Sequence, residues 1–229
     1  MSRNGADGGN VHRFEPRRRP PPPRGEPAFN APWPPLALTA LLIALHALLS
    51  FSGTLDAAAG AFGLVPSAVT SGRVWQLVTH MGVHGFWAHA IMNAVALLAF
   101  GAPLARYLGE QGRGPLLFFG FFLLCGLTAA VGYVLLHPQS GEVLIGASGA
   151  VAGLMGAASR LLGHPHVLSG LRDRQVVGLG LGWLALNLVF AVLGAIPSLG
   201  LRIAWEAHLI GYAVGLLAIA PYARLTRAR

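Results

Sequence analysis

Ser148 is the one hydroxyl in a run of very small residues, Gly146-Ala147-Ser148-Gly149-Ala150-Val151-Ala152-Gly153-Leu154-Met155-Gly156. A serine on a tightly packed helix flank can hydrogen-bond back to a carbonyl of its own helix. It can also be a nucleophile held for a base on a neighbouring helix. Two more polar clusters interrupt apolar sequence. His89 and Asn93 are four residues apart and so share one helix face. His208 is followed by Gly211 and Gly215. A hydroxyl, an imidazole to take its proton and donors aimed at an oxyanion are the parts that acyl transfer needs. On that chemistry Ser148 is the nucleophile and His208 the base. His89, Asn93 and the Ser148 backbone N–H are the oxyanion donors. The alternative for His89 and Asn93 is structural hydrogen bonding between helices.

The elements that must position these groups are membrane spans. Of the 229 residues, 54% are hydrophobic and only 10% charged, and the mean hydropathy is +0.60. Soluble domains carry about 25% charged residues. Six apolar segments, near 36–52, 87–105, 115–136, 146–163, 176–196 and 204–222, are each about long enough to cross a ~30 Å hydrocarbon core. The fourth is weakest, because glycine and alanine dominate it. Gly149 with Gly153, and Gly211 with Gly215, form Gly-x-x-x-Gly pairs that let helix backbones approach closely. The organisation expected is a basic, proline-rich tail over 1–35, a six-helix membrane domain over 36–222 and a short basic tail over 223–229.

The formal net charge is +8, and every cationic side chain is arginine. The arginines lie in the tails and between apolar runs, without interleaved aromatics, which fits membrane topology better than nucleic acid. The N-terminal tail, the links with Arg106, Arg113, Arg160, Arg172 and Arg174, and the C-terminal tail fall on one side. Only Arg73 and Arg202 fall on the other. Both termini are therefore expected in the cytoplasm, and the link from Ser52 to Phe86 outside, partly embedded and partly helical. Trp75 and Trp87 suit the membrane boundary, as do Trp183, Trp205 and Tyr222. The tail, with Arg17-Arg18-Arg19 before Pro20 to Pro23, cannot bury a core and reads as disordered. Cys125 is the single cysteine, so no intrachain disulfide exists.

Spans two, four and six all enter from the outer side on this topology. Each polar cluster falls within about two turns of its span's start. Three separate polar positions then lie at similar depth below the outer surface, as one site requires. Glu206 is two residues from His208, which places it on the opposite helix face. A Ser–His dyad without an acidic partner is expected, with Glu206 as a surface residue.

These motifs resemble those of the rhomboid family of intramembrane serine proteases. The resemblance runs from about Trp75 to Pro221. It rests on Gly146-Ala147-Ser148-Gly149 with the Leu154-Met155-Gly156 ending, on His89-Ala90-Ile91-Met92-Asn93 preceded by His80 and His84, and on His208-Leu209-Ile210-Gly211 with Gly215. It implies an all-α membrane bundle of six helices that cleaves transmembrane segments of membrane proteins near the outer face. Three departures stand out: Gln76 where arginine is frequent, Ala105 near a frequent glutamate, and Ala152 where an aromatic often packs on the catalytic histidine. The alternative function is a rhomboid-like pseudoprotease that binds membrane segments without cutting. A small transporter or haem protein fits less well, because the spans lack carboxylates for ion coupling.

No cofactor is implied. His80 and His84 have i, i+4 spacing, yet no cysteine or carboxylate stands nearby to complete a metal site. They are expected to order the first loop instead, and His46 and Asn187 to serve helix packing. The chain is expected in a bacterial cell membrane, with transmembrane proteins as substrates. The glycines in the first half of the fifth span suggest a helix mobile enough to admit them.

Overall fold

The computed structural model describes residues 31–163, 167–195 and 203–226. Most of the N-terminal tail and the last three residues lie outside the described residues. The described fold is nearly all helical, with a lone antiparallel bridge between Leu64 and Leu144.

Helix α1, Trp33–Phe51, starts three residues earlier than the hydropathy suggests. Pro34 and Pro35 sit in its first turn, where a missing N–H costs nothing and a fixed φ helps. The link over 52–86 then folds into three short helices, α2 Leu55–Phe62, α3 Pro66–Thr70 and α4 Gln76–Thr79, followed by a 3₁₀ turn over His80–Gly82. The long helices α5, Trp87–Leu108, and α6, Gly114–Leu136, come next. After them stand α7, Ser148–Ser159, α8, Arg174–Gly194, and α9, Trp205–Tyr222. The end expected for the fifth span, at 196, lies outside the described residues.

Five of these helices are long and apolar enough to cross a membrane: α1, α5, α6, α8 and the one starting at Trp205. The sixth, α7, corrects the expected 146–163 span. It has 12 residues, or about 18 Å of rise. Its physical setting explains the shortness. Nine of its residues are buried, so it is surrounded by protein and need not match the lipid. Gly146, with φ +107°, makes the sharp entry that an L side chain resists.

The core has a gradient of size. Along α6 the buried side chains run from Phe118, Phe121 and Phe122 through Cys125 to Ala129 and Ala130, with Val134 one turn beyond. Leu97 and Leu104 of α5, Leu154 of α7 and Ile219 of α9 pack at the bulky end. Lipid is as apolar as these side chains, so dense van der Waals contact holds the helices together. The small end of the gradient leaves room beside the start of α7.

Candidate active site

The seam between α7 and α9 sets the geometry. A Cβ added to Gly211 would collide with the backbone carbonyl of Gly149, and one added to Gly215 with that of Gly153. A Cβ on Gly156 would strike the carbonyl of Tyr212, and one on Gly153 would strike Cys125 of α6. Each helix thus presents bare backbone to the other at successive turns, the close approach that Gly-x-x-x-Gly spacing permits. The seam places residue 148 opposite residue 208.

Where α7 and α9 begin, the Ser148 hydroxyl and His208 Nε2 are 2.8 Å apart. The Ser148 O–H donates to Nε2 when the imidazole carries its own proton on Nδ1. A small cavity opens here, lined by Ser148, Gly149 and His208, by Ala129, Ala130 and Ala207, and by His80. No side chain caps the first turn of α7. Its leading N–H groups, and the positive end of the helix dipole, therefore head into this region.

The loop that leads into Ser148 is held by the 52–86 link. Leu64 and Leu144 exchange two backbone hydrogen bonds of 2.8 Å. Ser67 N–H donates to the Ser140 carbonyl at 3.0 Å, and Gly146 N–H to the His80 carbonyl at 2.9 Å. Ala147 N–H points at Nε2 of His84 at 3.5 Å, at the edge of hydrogen-bond range. His80 and His84 thus order more than their own loop: they hold the entry to α7. Gln76 extends the scaffold. It is fully buried, its Oε1 accepts from Val65 N–H at 3.1 Å, and its carbonyl accepts from His80 Nδ1–H at 2.9 Å. That is how this loop is fixed without an arginine at 76. Burial pushes the His80 imidazole down to about 4, against the opposing pull of its bond to Gln76. Burial also pushes His84 down to about 3, helped by the imidazoles of His89 and His46. Both are neutral at physiological pH.

His89 lies against this entry. A Cβ on Gly146 would fall 2.6 Å from its Nε2. Its ring stands edge-on to His84 at 5.1 Å, and His84 lies 6.4 Å from His46 of α1. Asn93 shares the face of α5 with His89, but one of its amide hydrogens goes to the His89 carbonyl at 3.0 Å. Its Oδ1 is buried without a partner among the described residues. Among the described residues no group of three His, Cys, Asp or Glu side chains could hold a metal ion.

Several residues are used differently from, or beyond, expectation. Glu206 is not a free surface carboxylate: it meets His137, at the end of α6, at 3.1 Å. Trp183 is not a boundary anchor. It sits mid-way along α8 with its ring 6.0 Å from His208, whereas Ala152 is buried in α7 and carries no ring. Tyr222 donates its hydroxyl to the Leu117 carbonyl at 3.0 Å, which ties α9 to α6. Asn187 hydrogen-bonds within its own helix, to the Trp183 carbonyl at 2.8 Å. Arg160 has a structural role besides its charge, donating to the Ser169 and Leu216 carbonyls.

The family model of the rhomboid domain matches residues 71–225. The chain therefore belongs to the rhomboid family. It is 28% identical over 185 residues to the rhomboid protease GlpG of Photorhabdus laumondii, covering 80% of this chain and 60% of that protein. It is 32% identical over 89 residues to RHOMBOID-like protein 5 of Arabidopsis thaliana, covering 39% of this chain and 27% of that protein. The chain thus spans less than two thirds of either relative's length.

Proposed function

We propose that the chain is an intramembrane serine endopeptidase whose dyad is Ser148 and His208. The observation that carries this reading is the 2.8 Å hydrogen bond between Ser148 Oγ and His208 Nε2, beside a cavity at the start of a buried helix. A serine that merely satisfied itself would bond a carbonyl one turn back, as Ser159 does with Gly156.

In the proposed reaction Ser148 Oγ attacks the scissile carbonyl carbon, and its proton passes to His208 Nε2. The carbonyl oxygen becomes an oxyanion. The Ser148 N–H, His89 and the amide hydrogen of Asn93 not used by His89 are its donors. The C–N bond then breaks, and His208 delivers the proton to the leaving amine. Water attacks the acyl-enzyme with His208 again as base, and releases Ser148. The oxyanion gains from the uncapped first turn of α7, because its N–H dipoles need no reorganisation.

The substrate is a transmembrane segment, as membership of the family supports. Its carbonyl must leave its own helix to reach Ser148, so residues that break helices favour cleavage. Entry beside α8 is consistent with the looseness of that helix, of which only Val176 and Asn187 are buried. The arginine asymmetry supports cytoplasmic termini in a bacterial cell membrane, with the dyad near the outer face.

Co-expression with single-span model substrates tests the reading. Cleavage that is lost in Ser148→Ala and in His208→Ala, together with fluorophosphonate labelling of the wild type alone, is the expected result. A wild type that binds such substrates yet neither cleaves nor labels is the pseudoprotease, and overturns it.

A further inference from the structure

The imidazole of His208 has a second nitrogen, and the dyad depends on it. Nε2 can accept from Ser148 only in the tautomer that protonates Nδ1. Nδ1 is buried and makes no hydrogen bond to any described residue. Nothing in the dyad itself therefore selects the working tautomer.

Two other buried polar atoms in the same condition lie on neighbouring rings: Nε1 of Trp183 and the hydroxyl of Tyr212. The Trp183 ring is 6.0 Å from His208 and 6.3 Å from Tyr212, stacked on the latter at 26°. Tyr212 follows His208 by one turn of α9, so the two side chains share a face. Its hydroxyl also reaches α8, 3.6 Å from where a Cβ on Gly180 would lie. The Trp183 ring of α8 thus neighbours two rings of α9, and the three carry two ring N–H groups and one hydroxyl that are buried without a partner among the described residues. Buried polar groups without partners are costly and rare, and three together define a polar site.

The geometry points to Trp183 and Tyr212 as positioning residues for His208, enclosing one water that takes the Nδ1 proton as a hydrogen bond. The water accepts from His208 Nδ1–H and Trp183 Nε1–H, and donates to the Tyr212 oxygen. A carboxylate usually orients such a base. Here two aromatic residues and a water do so, one of them on the most loosely packed span. The ring faces also limit rotation of the imidazole. The proposal rests on His208 being the base, and neither aromatic touches the reacting atoms.

The test uses the full chain in detergent or liposomes, with a fluorogenic single-span substrate and with ¹⁵N-labelled histidine, the His208 signal being assigned by its loss in His208→Gln. In the wild type the ¹⁵N shifts should show the Nδ1–H tautomer. Trp183→Ala should mix the two tautomers and lower kcat by about tenfold, with KM within about twofold. Trp183→Phe keeps a ring but loses the N–H. It should recover part of the loss, as should Tyr212→Phe compared with Tyr212→Ala. Unchanged kcat and tautomer in Trp183→Ala overturn the proposal. So does a loss of kcat with the tautomer intact, which would make the rings packing only. If Trp183→Ala does not fold, Trp183→Phe and Tyr212→Phe decide by the same two readouts. A wild type that neither cleaves nor labels would sink the protease reading instead, while the tautomer readout would still judge the positioning role.

Discussion

Helices α7 and α8 follow one another in the chain and could hardly be used more differently. In α7 nine of 12 residues are buried; in α8 the buried residues are Val176 and Asn187, out of 21. Helix α8 is the most apolar of the long helices, while α7 is made largely of glycine and alanine. In a bilayer, apolar bulk gains nothing from facing protein rather than lipid. Small residues gain contact only where backbones can meet. The greasiest segment is thus the peripheral one, and the segment poorest in side chains is the centre. Both members of the proposed dyad sit on the tight seam, and α8 adds only a ring to it.

The contrast can be broken most severely at Gly211. Gly211→Leu would drive a side chain into the Gly149 backbone. It should abolish fluorophosphonate labelling and lower stability by about 1–3 kcal/mol or more, as read by thermal unfolding in detergent. Retained labelling would show that the seam is looser than its geometry.

Acid should loosen the clamp on α7 before it affects α8. His80 and His84 are held neutral in the fold, at about 4 and about 3, and the ordinary value is 6.5. Their folded values are depressed, so the unfolded chain takes up protons first. Their contribution is fully present above about pH 6.5 and is lost as the pH falls towards 4. At pH 5 the loss reaches up to roughly 2 kcal/mol per imidazole. A melting temperature independent of pH between 7.5 and 5 would contradict this.

Gln76→Ala strikes the same clamp from the 52–86 link. It leaves the Val65 N–H without its partner and should cost about 1–3 kcal/mol, seen as faster proteolysis of the link and reduced cleavage. The smallest effect belongs to α8. A Cβ on Gly182 meets nothing within 4 Å, so Gly182→Ala should leave activity within about twofold and stability unchanged or raised by up to about 1 kcal/mol. A large loss there would mean that α8 is packed as closely as the seam.

Much of this was legible in the residues. Gly149, Gly153, Gly211 and Gly215 announce a close helix pair, and Ser148 and His208 flank it at matching positions. The spans of α1, α5, α6 and α9 follow from apolar length. The shortness of α7 was not legible, because hydropathy measures how far apolar sequence runs and not where the backbone turns. The sharp entry depends on Gly146 facing His89, a contact between distant parts of the chain. The inward turn of Trp183 was hidden for a different reason. A helix that is apolar on all sides does not declare which side faces its neighbours. Nor does spacing along α9 reveal that Glu206 would find His137, which is 69 residues away.

The brevity of α7 has one more consequence. The helix rises about 18 Å, roughly 12 Å short of a typical hydrocarbon thickness. Irregular backbone leads into it, and in lipid that backbone would be intolerable. Leu144 and Gly146 are spared because Leu64 and His80 hand them peptide partners. The 52–86 link thus does for this strip of chain what water does for a loop at a protein surface: it supplies the hydrogen bonds that lipid could not.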